Sequence, residues 1–161
     1  MKPGSQCTLV GEMERHILVA VDPSENAKRA VLFVGDFFGC YPRIRVTLLT
    51  VILQPNPSYF ENAAKGEQWL VEKQAEAEKM MTGYRDILLD AGFATDKVLV
   101  EIKVTRGPSV PDCIIAELEE LKCCTVVVGR RGISKKEEFI FGSTSNKILH
   151  EAKNCAVMVI E

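Results

Sequence analysis

The chain alternates short apolar runs with longer stretches of helical periodicity. "HILVAV" at residues 16–21 ends at Asp22-Pro23 and suits a strand buried on both faces of a sheet. "SENAKRAVLFVGDFFG" follows, with Ser24 placed to cap a helix and apolar residues at Ala27, Ala30, Val31, Val34, Phe37 and Phe38 before Gly39. "IRVTLLTVI" at 44–52 is β-branched and predicts a second strand, and the prolines of "LQPNPSY" predict a loop. From about Gly66 to Ala91 a helical pattern carries Trp69, Leu70, Ala77, Met80, Met81, Tyr84, Ile87 and Leu88, with Gly83 an unexplained weak point.

"KVLVEIKV" at 97–104 mixes apolar and charged positions, as a third strand at a sheet edge would. After "TRGPS", Pro111 suits the first turn of a helix that carries "DCIIAELEEL", with Ile115, Leu118 and Leu121 on related faces. "CTVVVG" is a fourth strand, "STSNKILHEA" a short helix and "CAVMVI" a fifth strand. Strands alternating with helices predict an α/β fold: one open, doubly wound, five-stranded parallel sheet with helices on both faces. Residues 1–15 read as a loose N-terminal segment and 16–161 as one domain.

Composition narrows the function. At 161 residues and 47% hydrophobic, the chain holds enough apolar side chain for one sizeable core. Twenty basic against 22 acidic residues leave a net charge of −2, which argues against a nucleic-acid surface. No apolar run reaches the roughly 18–20 residues of a membrane span, and the N-terminus lacks a signal-peptide pattern, so a cytoplasmic protein is expected. The six cysteines, Cys7, Cys40, Cys113, Cys123, Cys124 and Cys155, form no C-x-x-C pair and read as reduced core thiols. His16 and His150 fall at element edges, which predicts surface or capping positions rather than catalysis.

In such a sheet, ligands enter above the carboxyl ends of the strands where the strand order reverses. The candidate chemistry lies in "GRRGISKKEEFIFGSTSNK", residues 129–147. Gly129 and Gly132 permit close backbone approach, and Gly142, Ser143 and Thr144 stand where a helix start offers unpaired N–H groups to an anion. The same glycines and hydroxyls also serve ordinary turns and caps. Neither a G-x-x-x-x-G-K-[ST] P-loop nor a G-x-G-x-x-G dinucleotide fingerprint is present. Asp22 suits an Asx-type turn before the first helix, or a ligand contact at the reversal point. Arg130 and Arg131 offer charge-assisted bonds to phosphate or face solvent, and Lys135 to Glu138 read as a solvated charged run.

The spacing Gly129, two residues, Gly132, nine residues, Gly142 and Ser143 resembles the G-2x-G-9x-G-[ST] signature of ATP-binding universal stress proteins. The resemblance extends through "HILVAVDPSENAKRAV" and "NCAVMVIE", covering His16 to Glu161. It implies the strand order 3-2-1-4-5 of the adenine nucleotide alpha hydrolase-like fold. It also implies that Asp22 and Val51 contact adenosine while Gly129, Gly132, Gly142, Ser143 and Thr144 hold phosphates; one arginine, Arg130, is expected to point inward towards them. The cofactor implied is ATP, or AMP or ADP, with Mg²⁺ as the companion of the phosphates. The function implied is a nucleotide-responsive regulatory module in stress response, dimeric through the C-terminal strand. Its alternatives are a slow ATPase or self-kinase using Ser143 or Thr144, and an interaction protein that binds no nucleotide.

Overall fold

A computed structural model describes residues 14–130 and 143–161. The strands are β1 (Arg15–Ala20), β2 (Ile44–Leu53), β3 (Val98–Thr105), β4 (Thr125–Gly129) and β5 (Ala156–Ile160). The helices are α1 (Glu25–Phe38), α2 (Ala63–Asp90), α3 (Val110–Glu120) and α4 (Ser143–Glu151). All four strand pairings are parallel and the sheet order is β3-β2-β1-β4-β5, as expected. Val19 at the centre lies beside Leu48 on one side and Val127 on the other.

Because strand side chains alternate between faces, the sheet separates two cores. On one face Val19, Leu48 and Val127 pack with Val31 and Val34 of α1 and Met81 and Leu88 of α2. On the other, Leu18, Leu49 and Val126 pack with Ile114 and Leu118 of α3 and Ile148 of α4. Ser24 caps α1 through its Oγ, which accepts from the Ala27 N–H at 3.1 Å. Ser109 and Asp112 form a capping box on α3, with Pro111 in its first turn.

Several positions differ from the pattern. Phe37 is 60% exposed and stacks on Phe33 at a ring separation of 4.3 Å. At roughly 100° per residue it lies about 60° from Val34, on the side away from Val31, so it falls at the rim of the stripe. Helix α2 starts at Ala63, where the Asn62 side chain accepts from the Lys65 N–H at 3.0 Å. Its 28 residues span about 42 Å, longer than any strand here. Burial therefore begins only at Ala77, and Trp69 leans on Phe60 with ring centroids 5.9 Å apart instead of entering the core. Among the described cysteines only Cys123 is buried; Cys113 and Cys155 are half-buried, and Cys40 and Cys124 are exposed. Most of the thiols thus lie outside the core that the composition suggested for them. Burial pushes the Cys123 thiol up to about 12.

Gly83 resolves simply: a β-carbon there would meet nothing within 4 Å. Gly83→Ala is expected to raise stability by about 0.4–1 kcal/mol through the lower entropy of the unfolded chain. A chemical-denaturation midpoint that stays put or falls would contradict this.

His16 is only partly at the surface. It is half-buried in β1, with Nε2 and Thr47 Oγ1 2.7 Å apart. Burial, then the Arg45 guanidinium, holds the imidazole below its ordinary value of 6.5. The folded chain therefore favours neutral His16, and this contribution is complete above pH 6.5 and lost as the pH falls below it towards the folded value. Thermal midpoints are expected to fall on acidification just below pH 6.5, and His16→Gln to flatten that slope. An identical slope in the variant would rule out this origin.

No helix of the described residues is long and apolar enough to cross a membrane.

A candidate nucleotide site at the end of the sheet

The strand order reverses between β1 and β4, which leave the sheet centre with helices on opposite faces. β1 continues past its last paired residue, with the Val21 N–H donating to the Leu49 carbonyl at 2.8 Å. Asp22 Oδ1 accepts from the Ser24 N–H at 3.0 Å. The Asx-type turn expected from Asp-Pro-Ser is therefore formed, and it holds the carboxylate at the mouth of α1. Tyr84 Oη, from the C-terminal third of α2, donates to the Asp22 backbone carbonyl at 2.9 Å. Burial first, then the charges of Asp22 and Glu25, raise the Tyr84 phenol above its ordinary 10.0, so it stays a donor.

At the end of β4, Gly129 passes against the first turn of α1. A β-carbon there would stand 2.5 Å from the Asn26 carbonyl carbon and 2.7 Å from the Ala27 nitrogen. Glycine is required by this close approach. Asn26 Nδ2 donates to the Arg130 carbonyl, and the Arg130 N–H donates to the Ile160 carbonyl at 2.6 Å. The Arg130 guanidinium pairs with the Glu161 carboxylate at 2.6 Å, beyond the end of β5.

The opposite wall comes from the other layer. Val51 of β2 is half-buried against the α3 and α4 core. α4 begins at Ser143, with Ser143 exposed, Thr144 half-buried and Ser145 buried at 2% exposure. Lys147 Nζ pairs with Asp112 Oδ1 at 2.6 Å and ties α4 to the start of α3. The hydrogen bonds from Lys147 and then Ser109 hold the Asp112 carboxyl at about 2.

These walls border an open-mouthed cavity of about 80 Å³ lined by Asp22, Ser24, Val51, Gly129 and Thr144, with Leu49, Val110 and Ile114 among its apolar residues. The lining grades from aliphatic on the α3 side to polar at the starts of α1 and α4. Four residues singled out in the sequence thus line one cavity. Arg130 and Ser143 stand outside its lining. Gly132, Gly142, Arg131, Lys135 and Lys136 lie outside the described residues. Sequence reasoning did not find Asn26 and Tyr84, which shape the site through Arg130 and Asp22. Tyr84 fits the helical stripe of α2, and nothing in that period distinguishes a core tyrosine from one whose hydroxyl reaches a strand end.

The model of the universal stress protein family matches residues 13–161. The chain belongs to that family. A Staphylococcus aureus (strain USA300) protein described as a universal stress protein is 27% identical over 148 residues, 91% of this chain and 83% of its own. Among solved structures, a universal stress protein from Archaeoglobus fulgidus superposes with a TM-score of 0.70 at 24% identity, covering 91% of this chain and 98% of its own. An A. fulgidus universal stress protein in complex with dAMP superposes with a TM-score of 0.65 at 22% identity, covering 91% and 98%. At these identities the solved structures speak for the fold of this universal stress protein.

Proposed function

We propose that the cavity at the ends of β1 and β4 takes the base of an adenine nucleotide, with ATP as the leading ligand over AMP and ADP. The protein then acts as a nucleotide-responsive regulatory module in the cytoplasm, with little or no turnover. The observation that carries this reading is that Asp22, Val51, Gly129 and Thr144, from four separate segments, line one cavity at the reversal of strand order. The dAMP complex of a related fold supports the same ligand class.

The fit is partial in a useful way. A volume of about 80 Å³ is well below the roughly 300 Å³ at the small end of ligand pockets. The base lies against the aliphatic wall at Val51 and Ile114. Asp22 accepts hydrogen bonds from the sugar side, and the phosphates lie over Gly129 and the first turn of α4, where backbone N–H groups favour anions. One helix end contributes about 0.3–1 kcal/mol at an exposed position, so Gly129, Gly132, Gly142, Ser143 and Thr144 together must supply convergent hydrogen bonds. Mg²⁺ accompanies the phosphates and neutralises their charge. The described residues offer no cluster of three or more His, Cys, Asp or Glu side chains for a metal of their own.

Equilibrium titration with ATP and Mg²⁺ is expected to saturate, and the absence of binding at millimolar nucleotide would overturn the proposal. Phosphate release above a denatured control would overturn the low-turnover part. Among the described residues β5 is an edge of the sheet, so its outer backbone groups suit pairing with a second copy and a homodimer is part of the reading. A monomer by light scattering at tens of micromolar would count against it.

A further inference from the structure

At the opposite end of the sheet from the cavity, β4 and β5 are each preceded by a cysteine. Thr125 is in register with Ala156, and Cys124 and Cys155 immediately precede that pair. The Ala156 N–H donates to the Cys124 carbonyl at 2.9 Å and ties the two positions together. Val126 and Val128 of β4, and Val157 and Val159 of β5, all face the α3 and α4 core. Cys155 packs against that core, while Cys124, one residue before β4, is exposed. Neighbouring strands run about 4.8 Å apart, within the roughly 4.4–6.8 Å between α-carbons that a disulfide spans.

We propose that Cys124 and Cys155 are an oxidation site that closes a reversible intrachain disulfide. Cys124 is exposed and Cys155 is half-buried. The Cys124 thiol donates to the His16 carbonyl at 3.3 Å and receives a weak contact from Thr125 Oγ1 at 3.7 Å. A turn about its first side-chain torsion must release the His16 carbonyl before the sulfur can meet Cys155. Cys123, next in sequence, is 5% exposed in the α3 and α4 core and stays a thiol. Burial and the neighbouring Cys124 raise the Cys155 thiol, which suits it to the second step rather than the first.

The oxidant is a hydroperoxide. The Cys124 thiolate attacks the terminal peroxide oxygen, the O–O bond breaks, and alkoxide or hydroxide leaves while the sulfur becomes a sulfenic acid. The Cys155 thiolate then attacks that sulfur, the S–O bond breaks, and hydroxide leaves to take up a proton as water. Two thiols lose two electrons and the peroxide gains them. The cross-link joins the start of β5 to β4 and encloses residues 125–154, the stretch that carries Gly129, Thr144 and all of α4.

The full-length reduced protein, treated with hydrogen peroxide, alkylated and digested with trypsin without reduction, tests this. The expected product links "CCTVVVGR" to "NCAVMVIE" within one chain, about 2 Da lighter than the two free peptides together. Fragmentation is expected to place the bond on Cys124, and dithiothreitol to release it. Cys124→Ser and Cys155→Ser are each expected to abolish the linked peptide, and Cys123→Ser to retain it. A bond placed on Cys123, a link between two chains, or oxidation beyond sulfenic acid without any link would each overturn the proposal.

Discussion

Gly129→Ala is expected to cost about 1–3 kcal/mol of stability and to weaken nucleotide binding at the same time. The added β-carbon would stand 2.5 Å from the Asn26 carbonyl carbon and 2.7 Å from the Ala27 nitrogen. Both are backbone atoms of the first turn of α1, so no side chain can turn aside to make room. Either α1 moves away from the end of β4 or β4 bends outward. The first loosens the packing of Ala27 and Val31, and the second moves the Arg130 carbonyl off Asn26. For a chain of this length each kcal/mol shifts the thermal midpoint by about 2–4 °C, so calorimetry reads the effect directly. An unchanged midpoint with unchanged ATP affinity would show that α1 yields freely there. Gly83→Ala, where the same added carbon meets open space, separates this clash from the general consequence of replacing glycine.

Asp22→Asn is expected to weaken nucleotide binding about ten- to a hundredfold while leaving the fold in place. Hydrogen bonds to a charged group contribute about 1.5–3 kcal/mol, roughly twice those between neutral groups. Asparagine keeps an oxygen that can accept the Ser24 N–H now held by Asp22 Oδ1, and it suits the same Asx-type turn. The charge is removed from the cavity wall, and one acceptor oxygen becomes an amide donor. Isothermal titration of the variant against ATP, with its thermal midpoint measured alongside, distinguishes the outcomes. Unchanged affinity would remove Asp22 from the site, and a loss of affinity matched by a large loss of stability would make its role structural.

The fold was legible because its signals are local. β-branched runs mark the strands, the 3.6-residue stripes of α1 and α3 mark helices, and the mixed pattern of 97–104 marks β3 as an edge, where Leu99, Val100 and Val104 are indeed exposed. The strand order itself came through the family resemblance, since periodicity does not say which strands are neighbours. The limits show at particular residues. Phe37 satisfies the α1 repeat yet lies at its rim, and Trp69 satisfies the α2 repeat yet lies before the helix meets the sheet. Gly129 reads in the sequence as a residue close to ligand, and the fold adds that it is also a residue close to helix. Contacts such as Asn26 with Arg130, 104 positions apart, and Tyr84 with Asp22, 62 apart, leave no pattern in one sequence, because each member has an adequate local role by itself.

The division of the interior into two cores gives the cavity a mechanical meaning. Its wall takes Ser24 and Ala27 from the layer of α1 and α2, and Val110, Ile114 and Thr144 from the layer of α3 and α4. A molecule seated there rests on both layers at the rim of the sheet, so local opening of either one releases it. By linkage, its occupancy slows opening on both sides together. Amide exchange in α1 and α3 would then fall in step on adding ligand, although the two helices pack on opposite faces.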